Sequence, residues 1–182
     1  MSCGESHSLA ILQSVNITED STQEVSRNLF VWGCGLSCQL GIDDNSLDMV
    51  IVPSQIEIDT FNISSLKTVH AKHNYSSVLT EFGEVYTWGS GEFGRLGYKA
   101  AKKQQKVPKK IDMPWKVCKL SLGMYHVAGI TWEGKIVTWG SGVSGQLGRG
   151  KVINEGTVEL LDSIMGEEIF VDVSCGEKHT IC

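Results

Sequence analysis

The chain reads as an all-β protein built from repeats, and three observations predict it. A Trp-Gly phrase recurs: residues 86–97 read YTWGSGEFGRLG, residues 137–148 read VTWGSGVSGQLG, and residues 31–41 read VWGCGLSCQLG. A second phrase, SCGESH at 2–7, returns as SCGEKH at 174–179, with looser copies SLGMYH at 121–126 and HAKHNY at 70–75. Within these periods no stretch sustains the i, i+3, i+4, i+7 apolar spacing of a packed helix. The two phrases keep one beat of roughly fifty residues, and self-similarity at such a period signals a repeat architecture.

Taken in order, each period supplies the same elements. The first runs over approximately residues 1–65, and its gap from His7 to Trp32 is longer than the equivalent gap from His126 to Trp139. The excess falls in residues 12–28, a polar, partly acidic stretch that predicts a long hairpin loop, solvated or reaching toward a partner. The second period, 66–115, has short runs at 76–80 and 84–88 around a turn at Phe82-Gly83. The third, 116–168, has runs at 116–122, 126–131 and 135–139, the last two joined at Glu133-Gly134. Two short runs around a Gly-containing turn read as a β-hairpin. Residues 169–182 open a fourth period. Hairpins at this interval predict propeller blades, whose radial repetition leaves only short strand edges.

The repeated residues are assigned to packing. Trp32, Trp88 and Trp139 cover neighbouring strands, and Leu40, Leu96 and Leu147 fill the interface with the next blade. Gly33, Gly41, Gly89, Gly97, Gly140 and Gly148 flank them. Gly89 and Gly91, like Gly140 and Gly142, are expected at backbone angles other residues avoid. Residues 89–94 and 140–145 match G-x-G-x-x-G, but a dinucleotide site needs a helix to open at that loop. No helical period follows either copy, so a repeated turn accounts for both. His7, Tyr75, His126 and His179 share one repeat position, where a structural hydrogen bond is the expected role.

The 182 residues carry a net charge of −5, with 41% hydrophobic residues, 20 Gly and 3 Pro. The acidic balance argues against a globally basic nucleic-acid binder, and no apolar run reaches the roughly 20 residues of a membrane span. A cytoplasmic or nuclear setting is the default. The cysteines Cys3, Cys34, Cys38, Cys118, Cys175 and Cys182 lack zinc-site spacing. Small buried hydrophobes explain Cys3 and Cys175. His70 and His73 do not form a zinc motif and are expected at a strand end. No catalytic constellation, cofactor site or metal site is expected, and the chain is read as a non-enzyme. The candidate partner-binding residues are Lys99, Lys102, Lys103, Lys106, Lys109 and Lys110, six lysines without an acid in a predicted loop at 99–110. They suit phosphates, acidic headgroups or an acidic protein surface, or they keep a strand edge soluble.

The phased pair, S-C-G-E-x-H followed by W-G-x-G-x-x-G-Q-L-G, resembles the repeat of the regulator of chromosome condensation family over nearly the whole chain. Pro53 and Pro108 stand at the family's proline position after the Q-L-G segment. Glu159 in the third copy, Cys38 for Gly and Arg95 for Gln depart from the pattern. The resemblance implies a β-propeller of about three repeats plus the start of a fourth, an incomplete ring that belongs to a larger protein or closes by self-association through open blade edges. It also implies either a protein–protein interaction scaffold or, alternatively, a guanine-nucleotide exchange factor for a small Ran-like GTPase.

Overall fold

Turn glycines such as Gly83 and Gly134 separate neighbouring strands, and the described strands fall into four antiparallel sheets. The computed structural model describes residues 1–17, 23–43, 48–56, 65–99, 103–161 and 168–182. In the first sheet β1 (Ser2–Cys3), β2 (His7–Ile17), β3 (Gln23–Cys34) and β4 (Met49–Ile56) lie in sequence order. The second orders β5 (Leu66–Lys72), β6 (Tyr75–Thr80), β7 (Val85–Ser90) and β8 (Gln104–Lys110) the same way. The third holds β9 (Val117–Leu122), β10 (His126–Thr131), β11 (Ile136–Gly140) and β12 (Glu155–Leu160). β13 (Ser174–Cys175) and β14 (Thr180–Ile181) begin a fourth. A 3-10 turn, Glu92–Gly94, follows β7. The molecule is thus a partial propeller of three complete blades and the start of another.

The core lies between the blades. Leu9, Leu29, Val31 and Leu40 of the first blade pack with Leu66, Val69, Val78 and Trp88 of the second. Leu79, Val85, Leu96 and Ile111 of the second pack with Val117, Leu120, Val137 and Trp139 of the third. Ala128 and Ile130 of the third meet Val173 and Cys175. A blade flanked on both sides has both sheet faces covered, so every residue of β6, β7, β10 and β11 is buried. Polar members of these strands, Ser76, Ser77, Thr87 and Thr138, are therefore enclosed with the apolar ones. On the first blade Leu9, Leu29 and Val31 are buried whereas Trp32 is only partly so.

The Trp-Gly step has a defined geometric task. Pairing to the outer strand shifts register between Val31 and Gly33, between Thr87 and Gly89, and between Thr138 and Gly140. A bulge thus falls on each Trp, and the following Gly33, Gly89 and Gly140 take φ of 102°, 98° and 102°. Gly91 differs from expectation, with φ −101°. Gly142 is constrained by close approach instead, since a Cβ there would lie 2.0 Å from the Ile153 carbonyl oxygen.

Two stretches read as loops are strands. β2 and β3 stay in register from His7↔Gly33 to Ile17↔Gln23, so most of 12–28 is a two-stranded ribbon. Residues 104–110 form β8, paired to β7 through Tyr86↔Lys110 and Ser90↔Gln104. Hydrogen bonding to an adjacent strand holds both against their polar composition. Pro53 and Pro108 fall in the outer strands β4 and β8, where a missing N–H is tolerated at the sheet edge.

Candidate interaction surfaces

The blade junctions absorb the repeated residues. Trp88 Nε1 donates to the Gln39 carbonyl at 2.9 Å, and Trp139 Nε1 donates to the Arg95 carbonyl at 2.9 Å. The Ser76 hydroxyl also donates to Gln39 O, at 2.7 Å, and Thr180 donates to Gln146 O at 2.8 Å. His7 Nε2 lies 2.8 Å from Ser76 Oγ, and His126 Nε2 lies 3.0 Å from Thr180 Oγ1. The histidine position therefore pairs with a hydroxyl of the next blade. At the middle junction that position is Tyr75 and the next blade offers Val127. The Tyr75 hydroxyl spans the gap itself, donating to Gly123 O at 2.8 Å and His126 O at 3.1 Å.

Burial sets the chemistry of these groups. It lowers His7 and His126 from 6.5 to about 4 and raises the Tyr75 phenol well above its ordinary value. Nδ1 of His7 and of His126 has no hydrogen-bond partner among the described residues. His179, at the same repeat position, is exposed. Of the two equivalent cysteines, Cys175 is buried, whereas Cys3 is exposed and does not serve as a core residue. His70 lies within β5, 2.9 Å from Thr68 Oγ1, and His73 sits in the turn after it. No group of three or more metal-ligating side chains occurs among the described residues.

Arg95 is where the repeat is most changed. Its side chain is wholly buried, as Gln39 and Gln146 are buried, but the Oε1 atoms of those glutamines only accept the N–H of the nearby Ser37 and Ser144, at 2.7 and 2.8 Å. Arg95 donates to Ser90 O at 2.8 Å, to Met124 O at 3.1 Å and to the Ser90 hydroxyl, and it pairs with Glu92 at 3.0 Å. The guanidinium carbon lies 5.3 Å from the Tyr75 ring centre and 5.2 Å from that of Tyr125. Tyr125 meets Phe93 edge-on at 5.0 Å, and His73 lies 3.2 Å from Glu5. Burial lowers the Arg95 pKa, while the Glu92 carboxylate opposes that shift. Arg95 therefore clasps the second and third blades. Only the substitution itself, Arg for Gln, signals this in the sequence.

Two other departures reach the surface. On the ribbon, Ile11, Gln13, Val15 and Ile17 share a side with Leu9 by strand alternation, and they pair with Leu29, Arg27, Val25 and Gln23. This side faces the second blade: Arg27 Nη1 donates to Leu66 O at 2.6 Å and to Glu81 at 3.0 Å. Beyond Arg27, Val15, Ile17 and Val25 are exposed, and so is Phe82 in the neighbouring turn.

The lysine candidates separate into different settings. Lys110 Nζ lies 2.6 Å from Glu84, which holds the Glu84 carboxyl below its ordinary pKa. Lys109 Nζ stands 4.8 Å from the Tyr98 ring centre. Lys106, like Lys109 and Lys110, is carried by β8. Lys99 and Lys103 are exposed beside a cavity between the second and third blades. Lys102 lies outside the described residues.

The pattern of the Regulator of chromosome condensation (RCC1) repeat matches residues 83–130 and 133–182, together more than half of the chain. The chain belongs to the RCC1 repeat family. Its RCC1 repeats are 29% identical over 194 residues to the serine/threonine-protein kinase Nek9 of Xenopus laevis, covering 99% of this chain and 19% of Nek9. They are 28% identical over 183 residues to the ultraviolet-B receptor UVR8 of Arabidopsis thaliana, covering 100% of this chain and 38% of UVR8. The chain thus spans less than half the length of either relative. The crystal structure of Prp20p from Saccharomyces cerevisiae, described with its binding properties to Gsp1p and histones, superposes with a TM-score of 0.75. That match has 19% identity over 98% of this chain and 41% of Prp20p, and it shows the shared fold. No described helix is long and apolar enough to cross a membrane.

Proposed function

We propose that this RCC1 segment is a non-enzymatic protein-interaction scaffold of the cytoplasm or nucleus. One observation carries the reading. Trp88, Trp139, His7 and His126, which follow the repeat, are consumed inside blade junctions, whereas Val15, Ile17, Val25 and Phe82, where the repeats disagree, are exposed apolar groups. Apolar side chains grouped on a rigid framework are a surface that association would cover. The relatives support a docking role, since similar repeats stand within a kinase and a photoreceptor.

The test compares proteins retained from cell extract by the folded chain with those retained by Val15→Glu/Ile17→Glu/Val25→Glu, each hit then being reconstituted from purified components. A purified partner whose binding depends on the ribbon supports the scaffold. Partners indifferent to the ribbon overturn this assignment of the surface.

A guanine-nucleotide exchange role for a small GTPase is the second reading, favoured by the likeness in fold to Prp20p and its reported binding of Gsp1p. Nucleotide release from a panel of purified GTPases separates the two, and acceleration by this chain would favour exchange.

A further inference from the structure

Two adjoining cavities follow the seam between the second and third blades. One, of about 370 Å³, is bordered by Lys99, Lys103, Tyr98 and Asn154, and the other, of about 400 Å³, by Lys99, Lys109, Tyr98 and Thr157. Tyr98 and Lys99 belong to both, so the two form one groove. Its second-blade wall comes from the chain around Tyr98 and from β8, and its third-blade wall from β12 and the residues before it.

The charges on the two walls do not cancel. Lys110 is engaged by Glu84 at 2.6 Å, and Glu92 by Arg95 at 3.0 Å. On β12, Glu159 is 3.0 Å from Arg149, and Glu155 accepts the Thr157 hydroxyl at 2.8 Å. Among the described residues no carboxylate lies within ion-pair distance of Lys99, Lys103 or Lys109. Asp112 is the remaining acid on the groove wall. Tyr98 is fixed by donating to Thr87 O at 2.6 Å and Lys109 O at 2.9 Å, and its ring holds the Lys109 ammonium at 4.8 Å. A cation held this way loses less freedom on binding.

We propose that this groove binds an extended acidic protein segment, rich in Asp and Glu, with its carboxylates meeting Lys99, Lys103 and Lys109. The ammoniums are distributed along two cavities, which suits several charges along a chain better than one compact phosphate. Lysines act as point charges and lack the planar fork that favours phosphate in arginine clusters. The site is separate from the apolar ribbon, so either can fail without the other.

The experiment follows fluorescence anisotropy of a labelled Asp/Glu-rich peptide titrated with the whole chain. The comparison is between Lys99→Glu/Lys103→Glu/Lys109→Glu and Lys72→Glu/Lys151→Glu/Lys178→Glu, which changes net charge equally at exposed lysines elsewhere. Circular dichroism confirms that both variants fold. Saturable binding that weakens with salt, falls about tenfold or more in the groove variant and stays within about threefold in the control is expected. Absence of saturable binding overturns the proposal, as does equal loss in both variants. Tighter binding of a phosphopeptide, an oligonucleotide or anionic vesicles than of the acidic peptide also overturns it.

Discussion

The Trp139 indole donates to the main-chain carbonyl of Arg95 at 2.9 Å, joining the third blade to the second at the residue where the repeat is most altered. Trp88 makes the same bond to Gln39 one junction earlier, also at 2.9 Å. Because the bond goes to a carbonyl, it survives the change from Gln to Arg. The side chain is then free to take another task, which at Arg95 is to clasp the two blades.

Trp88→Ala and Trp139→Ala should each cost about 3–5 kcal/mol, from the lost ring and the cavity left between blades. Trp88→Phe should cost less, because an aromatic ring remains and Ser76 still donates to Gln39 O. Urea melts rank the three, and a loss below about 1 kcal/mol for Trp139→Ala would contradict its place in the core.

The middle junction offers a double-mutant cycle. Tyr75→His removes the bonds to Gly123 O and His126 O, and Val127 gives the new imidazole no hydroxyl. Val127→Ser supplies the hydroxyl found at the other junctions. Each single change should destabilise, and the pair should recover about 1 kcal/mol of coupling. Additive costs in the same melts would remove the equivalence drawn between the Tyr75 and histidine junctions.

Cys38 has φ 61° at the position where Gly94 and Gly145 both have φ 77°. A non-glycine residue there carries left-handed strain of roughly 1–2 kcal/mol. Cys38→Gly relieves that strain while giving the unfolded chain more freedom, so a net gain of about 1 kcal/mol is expected in the midpoint of denaturant unfolding.

Acid should weaken the fold before the carboxylates titrate. Burial holds His7 and His126 at about 4, below the ordinary 6.5, so the unfolded chain takes up protons first as pH falls. The stability is complete above about pH 6.5 and is lost down to about pH 4, with each histidine contributing about 2 kcal/mol of the loss between pH 7 and 5. Unfolding free energies across that range check the slope. His7→Gln should flatten it, and an unchanged slope would contradict a buried neutral His7.

Much of the fold was legible in the sequence, and the reason is repetition. Trp88 and Leu96 declare themselves packing residues because Trp139 and Leu147 repeat them in phase, and Gly83 and Gly134 mark the hairpin turns. The outer strands were not legible. β8 carries lysines and β12 is mostly half-buried, so neither offers apolar residues such as Val78 and Leu79 of β6 or Val127 and Ile130 of β10. The ribbon was hidden because its polar composition resembles a loop, whereas its order comes from the register of β2 against β3.

The sequence by itself determined the period, the strand hairpins and the residues that join one blade to the next, because each blade must present the same contacts to its neighbour. Only the tertiary structure decided which departures from the repeat are buried and which are exposed. Arg95 and Phe93 are two residues apart, yet the guanidinium is enclosed by Tyr75, Ser90, Met124 and Tyr125 from two blades, while Phe93 remains about half exposed. Lys99 and Lys109 face a common groove for the same reason: burial and local charge depend on what the adjoining blade supplies, which no local stretch of sequence records.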